Sequence, residues 1–272
     1  MPFTVEFLGI PGSGKTTLAE RVRQDVVATG AVALTLTGAV SHAVGEGLGD
    51  RLTDPVMSLV PRKLKGRVSE SGFLRSRAYL LSLVEFMVAR PASVSAYMDG
   101  LERRAPFEVG RESVVTWFLQ LIARYQLAAG TMTADQILLL DEGFCQRVVT
   151  GFGHRFSEAD HGDVIRYLAS VPPPDLLVYI TPDIDEVSRR LEIDLEPEVG
   201  GESSITSRLH YTEVDPRKFL TDTAHCVGYV ARQARASGWP VVEVGATMPT
   251  ATAAEAVIER LGAILESVRQ ET

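Results

Sequence analysis

The chain has 272 residues, 45% of them hydrophobic and 23% charged, which fits one large domain with an insertion and excludes extensive disorder. A formal charge of −8 excludes the broad basic face that duplex nucleic acid requires. The two cysteines, Cys145 and Cys226, are too few for a disulfide framework and stand in no zinc-ligand spacing, so a reducing cytoplasm is the expected setting.

The opening MPFTVEFLGI lacks a basic start and already reads as a strand. The longest membrane-like stretch, Tyr79 to Ala89, falls well short of the ~18 apolar residues of a spanning helix, so neither export nor membrane insertion is expected. The composition admits a homodimer without indicating one.

In chain order, TVEFLG (Thr4 to Gly9) is an apolar run with the look of a buried strand. Lys15 to Thr29 has helical spacing at Leu18, Val22 and Val26 and is closed by Gly30. AVALTLT (Ala31 to Thr37) is a second strand, which completes a βαβ unit and implies a parallel sheet. Gly45 to Asp50 reads as a short flexible loop. From Thr53 to Thr131 the periodicity is helical, punctuated by Pro61, Gly72, Pro91, Pro106 and Gly110, and this predicts a helical insertion. Strand character returns at Gln136 to Leu140, Asp175 to Ile180 and Pro240 to Val244, and a last helix runs from about Thr250 to Arg269. Five strands with covering helices make a three-layer α/β domain.

Between the first strand and first helix lies GIPGSGKTT, with the spacing Gly-x-x-x-x-Gly-Lys-Thr. Glycines let successive backbone amides curve around phosphate oxygens, and the following helix aims its positive end at the anion. Gly9, Gly12, Ser13, Gly14, Lys15, Thr16 and Thr17 are therefore the expected nucleotide-binding set. Lys15 would bridge the terminal phosphates, and Thr16 would offer its hydroxyl to magnesium.

ILLLDEGFCQR places Asp141 and Glu142 at the carboxyl end of a buried strand, beside the phosphate loop in such an architecture. Asp141 is the expected magnesium-side carboxylate and Glu142 either a base or a holder of metal-bound water. Gln146 and Arg147 follow closely and could clamp a polar or anionic acceptor. Cys145 reads as a packing residue, since phosphoryl transfer needs no thiol. Arg75 and Arg77, with the basic run Arg62, Lys63, Lys65 and Arg67, are further candidates for an acceptor pocket. The five histidines are scattered without a partner pattern.

YITPDIDEVSRRLEID has Thr181 or Asp183 as a helix cap, followed by Arg189 and Arg190. EPEVGGESSITS (Glu196 to Ser207) then loosens the chain up to Arg208. Arg189, Arg190 and Arg208 would form a lid region over residues 189–208, with Glu192, Asp194 and the loop's own acids as their only evident partners. Mutual repulsion would hold such a lid open until phosphates draw it in.

These three segments together resemble the P-loop small-molecule kinases of the nucleoside and nucleotide type, the thymidylate kinase, deoxynucleoside kinase and adenylate kinase group. GIPGSGKTT looks like their phosphate loop, LLLDEGFCQR stands in place of their acidic strand-end motif, and VYITPDIDEVSRRL looks like the segment leading to their lid. The likeness spans Thr4 to Val244. It implies a P-loop NTPase fold with a five-stranded parallel sheet, ATP and Mg2+, and transfer of the γ-phosphoryl group to a hydroxyl or phosphate of a small-molecule acceptor. It also implies that Arg190, before Leu191, is the lid-helix arginine and that the helices over 53–131 bind the acceptor.

The chain departs from that pattern in two places. Many members follow the strand-three acid directly with arginine, whereas here Asp141-Glu142 precedes Arg147. The second strand ends LTLTGAVSHAVGE, with no acid before Glu46. The base is accordingly Glu142, Glu46 or Asp50. The expected catalytic set is Lys15, Asp141, Glu142 and Arg190, with Thr16 and Asp141 toward the metal. The runner-up is an NTPase or nucleotide switch, in which the second acid of the pair activates water. A non-catalytic nucleotide-binding protein is a third class, disfavoured by the intact Lys15, Thr16 and Asp141.

Overall fold

The computed structural model describes residues 1–49, 73–104, 111–194 and 216–271. Five strands, β1 (Phe3–Leu8), β2 (Ala33–Thr35), β3 (Ile137–Leu140), β4 (Leu176–Thr181) and β5 (Val241–Gly245), form one sheet in the order β2-β3-β1-β4-β5. All pairings are parallel, with Phe3 opposite Ile137, Val5 opposite Leu176 and Leu177 opposite Val241. β1 therefore lies in the middle, flanked by strands that come far later in the chain.

A parallel sheet must be covered on both faces, and its strands accordingly read as apolar runs. Phe3, Val5 and Phe7 of β1, with Ile137, Leu139, Leu176 and Val178, face α1 (Lys15–Ala28), whose Leu18, Val22 and Val26 join the same cluster. The last helix closes that layer with Ala253, Ala254, Val257 and Leu261. Leu8, Leu138, Leu140, Leu177 and Tyr179 face the other way, into a larger helical layer.

The helices of that layer, in chain order, are α2 (Leu36–Gly49), α3 (Arg77–Ala89), α4 (Pro91–Arg103), α5 (Arg111–Thr131), α6 (Phe144–Phe152), α7 (His161–Leu168), α8 (Ile184–Asp194) and α9 (Pro216–Ala236). α10 is Thr250–Glu271, the last helix already described. Phe86, Tyr97, Phe118, Tyr125, Phe144, Phe152 and Tyr167 make the centre of the larger core, with Tyr97 stacked on Phe118 at 4.2 Å between ring centroids. Within 73–104 and 111–131 the predicted insertion is helical, and most of its buried hydrophobic residues belong to this same core, while Phe73 and Ala123 join Val40 in a smaller cluster.

Two sequence expectations shift here. The second strand is shorter than Ala31 to Thr37: Leu36 opens α2, and the Thr35 hydroxyl accepts the Gly38 N–H at 3.2 Å. Gly45 to Gly49 is not a loop but the last part of α2. A helix already nucleated gains a hydrogen bond with each added residue, which outweighs the cost of its glycines. Among the described residues no helix is long and apolar enough to cross a membrane.

Candidate functional site

The strand-to-helix turn after β1 has the backbone geometry expected of an anion cradle. Gly12 and Gly14 adopt φ of 78° and 90°, a region where a side chain is strained, and this curvature turns the loop around its own amides. Gly14 is the N-cap of α1, with no side-chain cap and no acid in the first turn. The end of α1 therefore keeps its positive dipole for an outside group. Lys15 Nζ donates to the Gly9 and Ile10 carbonyls, both at 3.0 Å, and so lies folded along the loop. Ser13 is buried, and Thr16 and Thr17 are exposed on the first turn of α1.

β3 ends beside this loop, as its pairing with β1 requires. The Thr16 hydroxyl donates to Asp141 Oδ2 at 3.0 Å, joining two residues that are 125 positions apart. Glu142 accepts from Arg147 Nη2 at 2.7 Å; the guanidinium is 7% exposed and the carboxylate 46%. Asp141, Glu142 and Arg147 line a cavity of about 240 Å³ whose other walls are Leu36, Thr37, Trp117, Gln120, Leu121 and Arg124. The spacing of Trp117, Gln120, Leu121 and Arg124 puts them on one face of α5.

Other expected residues are placed elsewhere. Gln146 is buried, and its side-chain oxygen accepts the Gly9 N–H at 3.3 Å, so it braces the phosphate loop instead of facing the cavity. Arg75 and Arg77 are exposed and form no part of the cavity lining. Glu46 falls in the last part of α2, its side chain outside the described residues, as are Asp50, Arg208 and the basic run from Arg62 to Arg67. Cys145 is fully buried, and burial holds its thiol well above the ordinary range, in keeping with a packing role.

The lid-side arginines carry a correction. Asp183 caps α8, its carboxylate accepting the Glu186 N–H at 2.9 Å. Glu186 then pairs with both arginines, at 2.8 Å to Arg189 Nη2 and 2.8 Å to Arg190 Nε. These hydrogen bonds, Arg189's first, hold the Glu186 carboxyl below its ordinary range. The mutual repulsion expected of Arg189 and Arg190 is thus partly offset within one turn of helix, by the three- and four-residue spacing that brings side chains together. Arg190 also donates to the Ala246 carbonyl at 2.9 Å, and its Nη1 lies 3.8 Å from where a Cβ on Gly14 would stand. It therefore rests against the phosphate loop.

Sequence reasoning missed the α5 wall and one residue beneath the loop, Glu6. The signal for the wall was present in WFLQLIAR, where an aromatic ring, an amide and a guanidinium recur at positions of one helical face. For Glu6 it was a lone acid inside the apolar run TVEFL.

A five-stranded parallel sheet in this order, with a glycine-rich loop leading from the central strand into α1, is the P-loop NTPase fold. No protein-family profile and no curated sequence matches the chain. Among solved structures it is similar to the deoxyadenosine kinase from M. mycoides with bound dATP, at 10% identity and a TM-score of 0.43, over 96% of this chain and all of that one. What the site does is read from its own geometry.

Proposed function

We propose that the protein is an ATP- and Mg2+-dependent phosphotransferase whose acceptor, a small metabolite with a hydroxyl or phosphate, sits in the cavity between α5 and the end of β3. One observation carries this reading. Asp141 touches the phosphate loop through Thr16 and also lines the cavity, so donor and acceptor spaces share a wall.

Each residue then has a task. The loop amides and the start of α1 bind phosphates, and Lys15 turns outward from the Gly9 and Ile10 carbonyls to the transferring group. A hydroxyl beside a carboxylate is the donor set that suits Mg2+, which keeps most of its shell as water and phosphate oxygen. Thr16 and Asp141 would hold that ion, which supplies charge neutralisation at the phosphates. Glu142, exposed to the cavity and oriented by the buried Arg147, is placed to accept the acceptor's proton. Arg190, resting beside Gly14, adds a positive group at the same phosphates.

Catalysis on this reading is alignment and charge stabilisation, with no covalent protein intermediate. The test is ATP turnover against a panel of nucleosides, nucleotides, sugars and hydroxylated natural products. A phosphorylated product whose formation needs Lys15 supports the reading. Hydrolysis at one rate with every acceptor and with none would replace it by an NTPase.

A further inference from the structure

β1 carries an acid where its pattern asks for a hydrophobe. Phe3, Val5 and Phe7 point to one core and Leu8 to the other, and Glu6 lies on the side of Leu8. Its sheet neighbours are Leu140 of β3 and Leu177 of β4, and it is fully buried. Burial, opposed in part by hydrogen bonds from the first turn of α6, raises its carboxyl from 4.5 to about 7, a measure of what the position costs. A leucine would fill the same space without that cost.

The carboxylate stands at the start of α6. Its Oε1 accepts the Gln146 N–H at 3.1 Å, and its Oε2 is buried without a hydrogen bond among the described residues. Gly143 lies so close that any Cβ there would strike the carboxyl group. Two branches leave this contact. The Gln146 side chain accepts from the Gly9 amide, the first of the phosphate loop. The next residue, Arg147, holds Glu142.

We propose that Glu6 is a positioning residue of the site: by anchoring the first turn of α6 it fixes the phosphate loop on one side and Glu142 on the other. The proposal rests on the phosphotransferase reading for its kinetic consequence and on geometry alone for the coupling. If the first turn of α6 moves, Gly9 and Glu142 move with it, and an ångström of misplacement at reacting groups costs up to ~100-fold in rate. A local departure from core chemistry is expected where a site needs it.

The test uses the full chain with two variants. Glu6→Leu keeps bulk and removes the acceptor, and Glu6→Gln keeps an acceptor oxygen in the same place. Cooperative thermal melts establish that each is folded, and the Gly9 and Gln146 amide resonances report the coupling directly. Glu6→Leu should move both resonances and lower kcat roughly 10- to 100-fold, and Glu6→Gln should recover about tenfold of that loss. A folded Glu6→Leu with unmoved Gly9 resonance and unaltered kcat overturns the proposal. If Glu6→Leu does not fold, Gln146→Leu, which breaks only the Gly9 branch, must move the Gly9 resonance and lower kcat, and no change in either overturns it. Should the wild-type protein transfer no phosphate to any acceptor, the phosphotransferase reading fails by itself. The Gly9 resonance then decides the coupling: moved in Glu6→Leu, it stands; unmoved, it falls.

Discussion

Thr16 and Asp141 are joined by a 3.0 Å hydrogen bond across the gap between the first helix and the third strand. If this pair holds the metal, Asp141→Asn should raise the Mg2+ concentration needed for half-maximal turnover, and Thr16→Val should do the same to a smaller extent. Titration of Mg2+ at saturating ATP measures both. An unchanged Mg2+ requirement in folded Asp141→Asn would remove the pair from the metal's coordination.

Lys15 donates to two loop carbonyls and belongs to neither of the two large hydrophobic clusters. Lys15→Ala should therefore melt like the wild type and lose on the order of 100-fold or more in turnover, as removal of a transition-state donor does. Near-normal turnover would mean that the loop does not serve phosphoryl transfer.

Glu186 divides itself between Arg189 and Arg190, and only Arg190 reaches the Ala246 carbonyl. Arg190→Ala is expected to lower turnover by roughly 10- to 1,000-fold, and Arg189→Ala, at an arginine 62% exposed, to change it by less than about threefold. Equal losses from the two would show that the anchoring seen at Ala246 has no functional weight.

Glu6 gives the fold a pH dependence. Its folded value of about 7 lies above the ordinary 4.5, so between these values the folded chain keeps a proton that the unfolded chain has released. Stability contributed by that proton is complete below about pH 4.5 and is lost as pH rises through about 7. The difference corresponds to about 3 kcal/mol. Cys145 and the Tyr125 and Tyr167 hydroxyls around it are all raised by burial, Tyr125 to about 12, and stay protonated over this range. Melts of the wild type and Glu6→Gln at pH 5 and pH 8 should show a downward slope with pH in the first that is flattened in the second. Identical slopes would place the titration elsewhere.

Gly143→Ala should be costly for the same reason, since the new methyl group would meet the buried carboxyl group. Overpacking of this kind costs about 1–3 kcal/mol. A denaturant midpoint equal to wild type would show that Glu6 can move aside.

Much of the sheet was legible because each strand is a short apolar run ended by glycine, proline or a charged residue, and such runs seldom suit anything else when helices alternate with them. β2 was overextended because TLTGAV satisfies strand and helix spacing alike over so few residues. The loop and Asp141 were legible as separate motifs; their contact was not, since it depends on β3 lying beside β1. Gln146 and Arg147 look equally polar in sequence, yet the tight seating of α6 turned one inward to Gly9 and the other to Glu142. The Glu186 pairing could have been read from its three- and four-residue spacing to the arginines.

The sheet order has a consequence for how the chain reaches its native state. β1 sits between partners that begin at Ile137 and Leu176, so it stays unpaired until about half the chain has been made. At ~5–20 residues per second of synthesis that interval is on the order of ten seconds. Throughout it an exposed hydrophobic strand edge invites association with other nascent chains. In the unfolded chain Glu6, with its ordinary value of 4.5, is ionised at neutral pH and interrupts that hydrophobic run with a charge. The same carboxylate that is costly in the finished core thus puts a charge into the exposed apolar run of the unfinished one, where charge disfavours association.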